Sequence, residues 1–445
     1  MTDRTLNLSV PAEKPDVSPL PYGVLFLLMI VYAFNMLDRQ IVTILVEPMK
    51  RDLSLSDGQI GAISGLAFAL FYTLLGIPLA RVADRGNRVA MIAVSLTIWS
   101  VFTALCGLAR NFGELLLART GVGVGEAGCT PAAHSLITDF VPREQRAWAL
   151  SLYSLGTPVG SLAGLILGGV LLATLGWRAA FLIAGLPGVV LAIIVWFSIP
   201  EPRRREAVAT PARQLPLRAV IATLRRLPSF WLVSFGTAMG GFGYFGQAAF
   251  FGALYMRTHT SGLASLAATF GVAPSVALGL ALGLMVGVVG MAGTLVGGLL
   301  ADRAGRGGIA GYTRVPSVAL VIAAPLFAGA ALAGTIGWSF VLLGLAIFVH
   351  ALNYGSVFAA VQTLVHPSIR AMASAVQLFI VNAIGLALGP LFVGVASDLL
   401  APTLGAEMGL RVAMALVVAP LALGSALFWL AGRRIGEDER RAMSN

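Results

Sequence analysis

Residues 79–88 read LARVADRGNR, and residues 299–306 read LLADRAGR. Each follows an apolar run and carries one acid with two arginines after it, Asp84 with Arg85 and Arg88 in the first and Asp302 with Arg303 and Arg306 in the second. A second echo has nearly the same offset. VPREQRAWA (141–149) matches HPSIRAMAS (366–374) and sets Arg146 opposite Arg370. Two independent echoes near half the chain length imply a unit and its copy.

The segments around the echoes say what the unit is made of. Of 445 residues, 58% are hydrophobic and 11% charged, with mean hydropathy +0.87. A soluble domain is usually about 25% charged, so a soluble enzyme, a secreted scaffold and a disordered chain are excluded. A bilayer crossing needs ~20 apolar residues in a helix, because the backbone must satisfy its own polar groups in hydrocarbon. Stretches free of Asp, Glu, Lys and Arg run 58–80, 89–109, 147–177, 179–200, 227–256, 371–397 and 412–432, one span each. Residues 258–301 hold a loop and one more span, and 315–369 are long enough for two, turning near 334–337. Two further apolar segments carry charge: 22–46 with Asp38 and Arg39, and 115–137 with Arg119 and Glu126. The prediction is an all-α membrane protein of twelve transmembrane helices in two pseudo-symmetric six-helix bundles. The bundles take 22–200 and 229–432, joined by a linker over 201–228 that includes a short interfacial helix. Tails of 1–21 and 433–445 flank them.

The formal charge of +10 would suggest nucleic acid in a soluble protein. Here most of the Lys and Arg fall in the two tails and in the loops after even-numbered spans, so the positive-inside rule places both termini in the cytoplasm. The basic balance is topology, and no nucleic-acid partner is expected. Residues 1–21 mix Asp3, Glu13 and Asp16 with four prolines and have no apolar core, so they read as a flexible tail rather than a signal peptide. Cys106 and Cys129 are isolated in apolar runs, which suggests neither a disulfide framework nor a metal or redox site. The sequence Gly123-Val-Gly125-Glu-Ala-Gly128 matches a dinucleotide fingerprint, but it lies inside a span and lacks the strand such a site needs. No catalytic triad, metal cluster or P-loop is visible, so the chain is not expected to be an enzyme, and no cofactor is expected.

Glycine recurs every four residues at Gly156, Gly160, Gly164 and Gly168 and again at Gly279, Gly283 and Gly287. That period puts each set on one helix face, where a neighbouring backbone can approach closely.

Two six-span halves joined by a basic linker, with a D-R-x-G-R-type loop in each, resemble the major facilitator superfamily of secondary transporters. The first loop departs from the pattern in having Asn87 where the family has Gly. The resemblance implies that Asp84, Arg85, Arg88, Arg146, Asp302, Arg303, Arg306 and Arg370 act in gating, with charges paired across the gap between the halves. It also implies that spans 1, 4, 7 and 10 line a central cavity.

A charge at the middle of a membrane helix costs about 2.5–3.5 kcal/mol on the insertion scale. Asp38, Arg39, Arg119 and Glu126 therefore need each other or a wet cavity. Arg119 and Glu126 lie two helical turns apart and share a face, whereas Asp38 and Arg39 are adjacent and diverge by about 100°. Arg39 is predicted to reach Glu126 across the cavity, with Asp38 beside it and exposed to changing solvation. The four sum to zero charge, so one proton gained or lost unbalances them. They suit a proton-exchanging site in which Asp38 and Glu126 carry the proton; the alternative is a permanent ion-pair network that only fixes packing. His134 lies two turns beyond Glu126, and His350 falls at its repeat-related position; each is a candidate relay or packing residue. The second half offers Tyr244, Gln247, Asn353 and Tyr354 among aromatic and apolar neighbours. A charged wall facing an apolar one suits a substrate with an ionic head and an acyl tail. Arg39, Arg119, Glu126, His134, Tyr244, Gln247, His350, Asn353 and Tyr354 form the predicted substrate-binding set.

Two longer stretches narrow the resemblance. LDRQIVTILVEPMKRDLSLSDGQIG (37–61) and RTGVGVGEAGCTPAAHSLITDFVPREQRAWALSLYSLGTPVGSLAGLILGG (119–169) are similar to the spinster branch of the superfamily. That branch is associated with export of sphingosine-1-phosphate and movement of lysophospholipids, with proton coupling proposed, and the likeness carries its motif acids and base to Asp38, Arg39 and Glu126. The expectation is a monomeric bacterial inner-membrane carrier of a small amphipathic solute, driven by the proton gradient through alternating access. A multidrug or organic-anion/H+ antiporter of the same superfamily is the alternative, favoured by GTPVG (156–160).

Overall fold

The computed structural model describes residues 22–142, 145–201, 217–366 and 369–444. The predicted N-terminal tail, most of the linker and Asn445 lie outside them. No strand occurs among the described residues. Among the described residues, eight helices are long and apolar enough to cross a membrane. Two of these, Trp148–Ser198 and Met372–Ala442, each hold two crossings folded about a glycine. Gly176 (φ 79) and Gly405 (φ 81) make those turns in a region that L side chains avoid. Both lie between the fifth and sixth helices of their half, so the duplication extends to backbone conformation.

The remaining two crossings, over residues 112–140 and 228–258, are interrupted at Ala127–Gly128 and at Ala249–Phe250. Twelve spans result, as the sequence predicts. One expectation is corrected. The loop after span 7 is a helix, Thr260–Phe270, closed by Gly271 in the left-handed conformation. The apolar turn of 260–270 reads as loop in a charge count because it has the composition of a span but not the length. The linker's short helix is Leu217–Arg225, and the helix of span 12 runs on to Ser444 through the arginines that follow the apolar stretch.

Packing follows the glycines. A Cβ on Gly164 would sit 2.6 Å from the Leu37 carbonyl oxygen and 2.9 Å from Leu37 Cα, so span 5 lies directly on the backbone of span 1 within the first half. Gly283 and Gly287 meet both the side chain of Leu162 and the carbonyls of Leu162 and Pro158, so span 8 lies on span 5 across the interface between halves. Gly65 does the same for span 2 on span 11, with Ala387 O and Leu386 O within 2.9 Å of its would-be Cβ. Without a water-driven hydrophobic effect between helices, close backbone contact of this kind supplies much of the packing energy.

Spans 2, 8 and 11 each contain a π-turn, at Ala62–Leu66, Leu284–Val289 and Asn382–Leu386. In span 11 Pro390 is the cause, since its ring displaces the carbonyl of Leu386 four residues back. The halves meet through spans 1 and 7, 2 and 11, and 5 and 8. These contacts gather toward the face away from the arginine-rich loops.

Gly164→Leu forces a side chain into the span 1 backbone and should lower the unfolding temperature of the purified protein, in line with overpacking penalties of roughly 1–3 kcal/mol. Gly76→Leu, where an added Cβ meets nothing within 4 Å, is the matched control. Equal melting of the two variants in detergent would refute the glycine seam.

Candidate functional site

Span 4 is broken because Pro131 lacks an N–H and crowds the carbonyl of Ala127. Glu126 therefore ends one helical segment, fully buried, with its side chain turned toward span 1. Arg39 meets it there. Nε donates to Glu126 Oε2 at 2.7 Å and Nη2 lies 2.6 Å from the same oxygen. The guanidinium also lies against the mutually stacked rings of Phe68 and Tyr72, 4.6 and 4.7 Å from their centroids.

Asp38 turns the other way round span 1, as adjacent helical residues must. Its Oδ2 accepts a hydrogen bond from Thr103 Oγ1 at 2.7 Å in span 3, and it is only 1% exposed. The predicted position exposed to solvent is therefore not the one it holds. Arg119 is buried over Phe68, 5.6 Å from the ring centroid. Several polar atoms here lack a hydrogen-bond partner: Asp38 Oδ1, Glu126 Oε1, Arg119 Nε and Nη1, and Asn35 Oδ1. Buried polar groups are normally satisfied, so a cluster of unused donors and acceptors in one small region is what a site for a proton and a polar ligand requires. Asn35 was not singled out from sequence; its place one turn before Arg39 on the same helix was the available signal.

A cavity of about 160 Å³ opens between the halves beside this cluster. The first half contributes Arg39, Gln40, Ser64, Phe68 and Arg119, and the second Tyr244, Phe245, Leu386 and Pro390. One wall is cationic and polar, the other aromatic and apolar. Tyr244 stacks on His350 with centroids 4.8 Å apart, and Phe327 and Tyr354 meet the imidazole edge-on. His350 Nε2 lies 3.3 Å from the Gly240 carbonyl, and the Asn353 amide donates to the His350 carbonyl across the break at Leu352.

The predicted residues thus divide by position. Arg39, Arg119 and Tyr244 line the cavity and Glu126 pairs with Arg39 at its edge. His350 and Asn353 lie behind Tyr244, while Tyr354 flanks the imidazole and is partly exposed. Gln247 donates to the carbonyls of Phe327 (3.3 Å) and Met414 (2.7 Å) and serves helix packing. His134 sits in the first half, edge-on to Tyr153, which stacks on Tyr32.

Arg88 does not reach across the gap between halves. It is fully buried within the first half, where its guanidinium bonds Asp139, the Ser135 carbonyl and Glu201, while Glu201 also accepts the backbone N–H groups of Arg88 and Val89. Asn87 caps the same helix by accepting from the Ala90 N–H, which is what replaces the family glycine. Arg146 donates to the Val141 carbonyl, Arg370 is partly buried, and Asp302, Arg303 and Arg306 are exposed. The side chains of Asp84 and Arg85 lie outside the described residues.

Sequence reasoning missed a buried charge cluster that joins the halves. Arg257, near the end of span 7, donates to both oxygens of Asp57 at the start of span 2 (2.8 and 3.0 Å) and to Glu47 of span 1 at 2.8 Å. Lys50 and Ser397 also bond Asp57, and Asp398 of span 11 accepts the backbone N–H groups of Asp57 and Gly58 at the N-terminus of span 2. Four helices from two halves are latched on the face opposite the arginine-rich loops. The signal was present in the few charges on that face, which a count of basic residues treats only as a remainder.

A sequence model described as the Major Facilitator Superfamily matches residues 28–390. The chain belongs to that superfamily. It is a multi-pass membrane transporter, not an enzyme. An MFS-type efflux pump of Mycolicibacterium smegmatis is 36% identical over 419 residues, covering 92% of each chain. Protein spinster homolog 1 of Xenopus tropicalis is 26% identical over 94% of this chain and 82% of its own. Among solved structures, a bacterial homologue of the human lysosomal transporter spinster, inward-facing and unoccupied, superposes with TM-score 0.82 at 32% identity, covering 95% of this chain and 98% of that one. The spinster-like resemblance seen in the first 200 residues therefore extends over the facilitator fold as a whole.

Two outcomes follow from the charges outside the cavity. Burial pushes the Glu201 carboxyl up, but the Arg88 guanidinium and the backbone N–H groups bonded to it outweigh burial and hold it below the usual carboxylate range. A depressed native value stabilises above the unfolded one and is lost on acidification. The melting temperature of wild type should exceed that of Glu201→Gln at neutral pH, and the difference should shrink as pH falls through and below the ordinary glutamate range of about 4.3; a gap that widens in acid would contradict the pairing. Arg257→Gln removes the one cation that joins Asp57 to Glu47 from the other half and leaves each carboxylate only its partner within the first half, Lys50 for Asp57 and Arg51 for Glu47. A cysteine at Ser64 should then react faster with an impermeant maleimide applied from the latched face, and an unchanged rate would show that the latch does not close it.

Proposed function

We propose that this transporter moves an amphipathic, lipid-like solute of the lysophospholipid or sphingosine-1-phosphate type by alternating access, coupled to protons through Glu126 and Asp38. The observation that carries the reading is the Arg39–Glu126 pair at the edge of a cavity whose opposite wall is Tyr244, Phe245, Leu386 and Pro390. Burial without a partner favours a neutral carboxyl, and a guanidinium beside it favours the ionised one. A proton taken by Glu126 releases Arg39 to hold an anionic head group, with Arg119 beside it, while the tail lies on the apolar wall. Loss of the proton restores the ion pair and expels the anion. Asp38, bonded to Thr103 with one oxygen free, supplies a second protonatable carboxylate next to the same helix turn.

On this proposal the arginine-rich face lies in the cytoplasm of a bacterial inner membrane, and the protein works as a monomer with the proton gradient as its energy source. The positive-inside distribution supports the orientation. The latch then closes the outer side, and the cavity exchanges with the cytoplasmic one.

In proteoliposomes, an imposed pH gradient should drive lysophospholipid flux by wild type. Glu126→Gln should flatten the pH dependence while retaining binding. Flux by the variant that still follows pH would remove Glu126 from coupling. A second reading is favoured by the likeness to an MFS-type efflux pump: a multidrug or organic-anion/H+ antiporter using the same pair. Protection of cells against several structurally unrelated drugs, without lysolipid flux, would select it.

A further inference from the structure

Away from the central cavity, spans 7 and 12 leave a groove of about 590 Å³ between them. Its walls are apolar, with Trp231, Phe235 and Met239 on span 7 and Leu423 and Leu427 on span 12. Its rim on the arginine-rich side is Arg225, the last residue of the linker helix, and Arg434, two turns beyond Leu427. Among the described residues neither arginine has an ion pair or a hydrogen bond. Their neighbours do: Arg433 lies on the Trp429 ring at 3.6 Å, Arg440 donates to the Gly436 carbonyl, and Arg441 faces Glu437 and Asp438. Trp231 is fixed where it stands, because its Nε1–H donates to the Leu224 carbonyl at 3.0 Å. That bond also ties the linker helix to span 7 and so holds Arg225 over the end of the groove.

We propose that this groove is a binding site for an anionic phospholipid of the surrounding bilayer, its phosphate between Arg225 and Arg434 and an acyl chain along Trp231, Phe235 and Met239. Charge complementarity selects this occupant. A free anion would engage the two cations and leave the apolar walls bare. A zwitterionic lipid would fill the walls but bring a cation of its own to two unpaired arginines. A phosphodiester with no compensating amine satisfies both parts, and guanidinium groups suit its oxygens. The site is independent of the transport substrate, since it shares no residue with the central cavity.

Native mass spectrometry of the purified full chain in detergent, titrated with phosphatidylglycerol, phosphatidylcholine and inorganic phosphate in turn, tests the proposal. Phosphatidylglycerol should bind at one saturable site more tightly than phosphatidylcholine. Arg225→Gln/Arg434→Gln should weaken it roughly 30-fold, taking about 1 kcal/mol for each arginine near an anionic lipid, while Arg433→Gln should not. On the wild-type protein, phosphatidylglycerol with brominated chains should quench tryptophan fluorescence, and most of that quenching should vanish in Trp231→Phe. Equal affinity for the two lipids, or undiminished retention by the double variant, would overturn the proposal. Displacement of the lipid by millimolar inorganic phosphate, with no quenching of Trp231, would identify a free-anion site and overturn it equally.

Discussion

An ionised side chain inside a membrane protein must be paired, solvated or neutralised, and the two charge clusters of this transporter meet that demand in opposite ways. Around Arg257, both oxygens of Asp57 and both of Glu47 accept from a cation, Lys50 or Arg51 of span 1 or Arg257 of span 7. Such a cluster has one good arrangement, and it holds the halves together. Around Arg39 the pairing is incomplete. One oxygen each of Asp38 and Glu126 and two nitrogens of Arg119 are buried without partners. A network in that state is poor at fixing packing and open to a proton or a ligand. The proposed coupling role, rather than a permanent ion-pair network, rests on these free atoms.

The latch works because the surrounding helices can come close enough for short side chains to meet. A Cβ on Gly58 would reach Asp398 Oδ2 at 3.0 Å, and Gly65 repeats the close approach two turns along on the backbone of span 11. Small residues set the distance between halves, and charge then sets the register. The π-turns of spans 2, 8 and 11 fall next to these crossings. Each inserts a local change of helical phase where a rigid helix would otherwise have to keep one face against two neighbours.

The architecture was legible in the sequence because its signals are one-dimensional. Charge-free windows mark spans, basic loops set the expected sidedness, and the echo of Asp84 by Asp302 marks the duplication. Arg39 and Glu126 were legible for the same reason, since a charge within an apolar run is conspicuous wherever it folds. What escaped reading depends on distance in space. Nothing in the chain order joins Arg257 to Asp57 or Asp398, and a charge near a span end looks like an ordinary loop residue. Arg88 shows the converse error. Its motif implied a partner across the gap, yet a buried guanidinium bonds whichever acceptors surround it, here Asp139, Ser135 and Glu201 of its own half and linker. The helix 260–270 was hidden because apolar composition does not distinguish a short helix from part of a longer span.

Span 1 joins the two clusters physically. Asp38 and Arg39 belong to the site and Glu47 and Lys50 to the latch, all on one continuous helix, Tyr22–Asp52, with the site and latch about two turns apart. The helix is seated along much of its length on the glycine face of span 5, which limits how far it can bend independently of the first half. Glu47 therefore cannot move away from Arg257 as part of a rigid half without carrying Arg39 in the same motion. Arg39 faces Tyr244 and Phe245 of the second half across the cavity, so separating the halves at the latch changes the width of the site at its other wall. Closure of the latch and the width of the cavity are then set by one displacement, which is the mechanical condition that the proposed coupling requires.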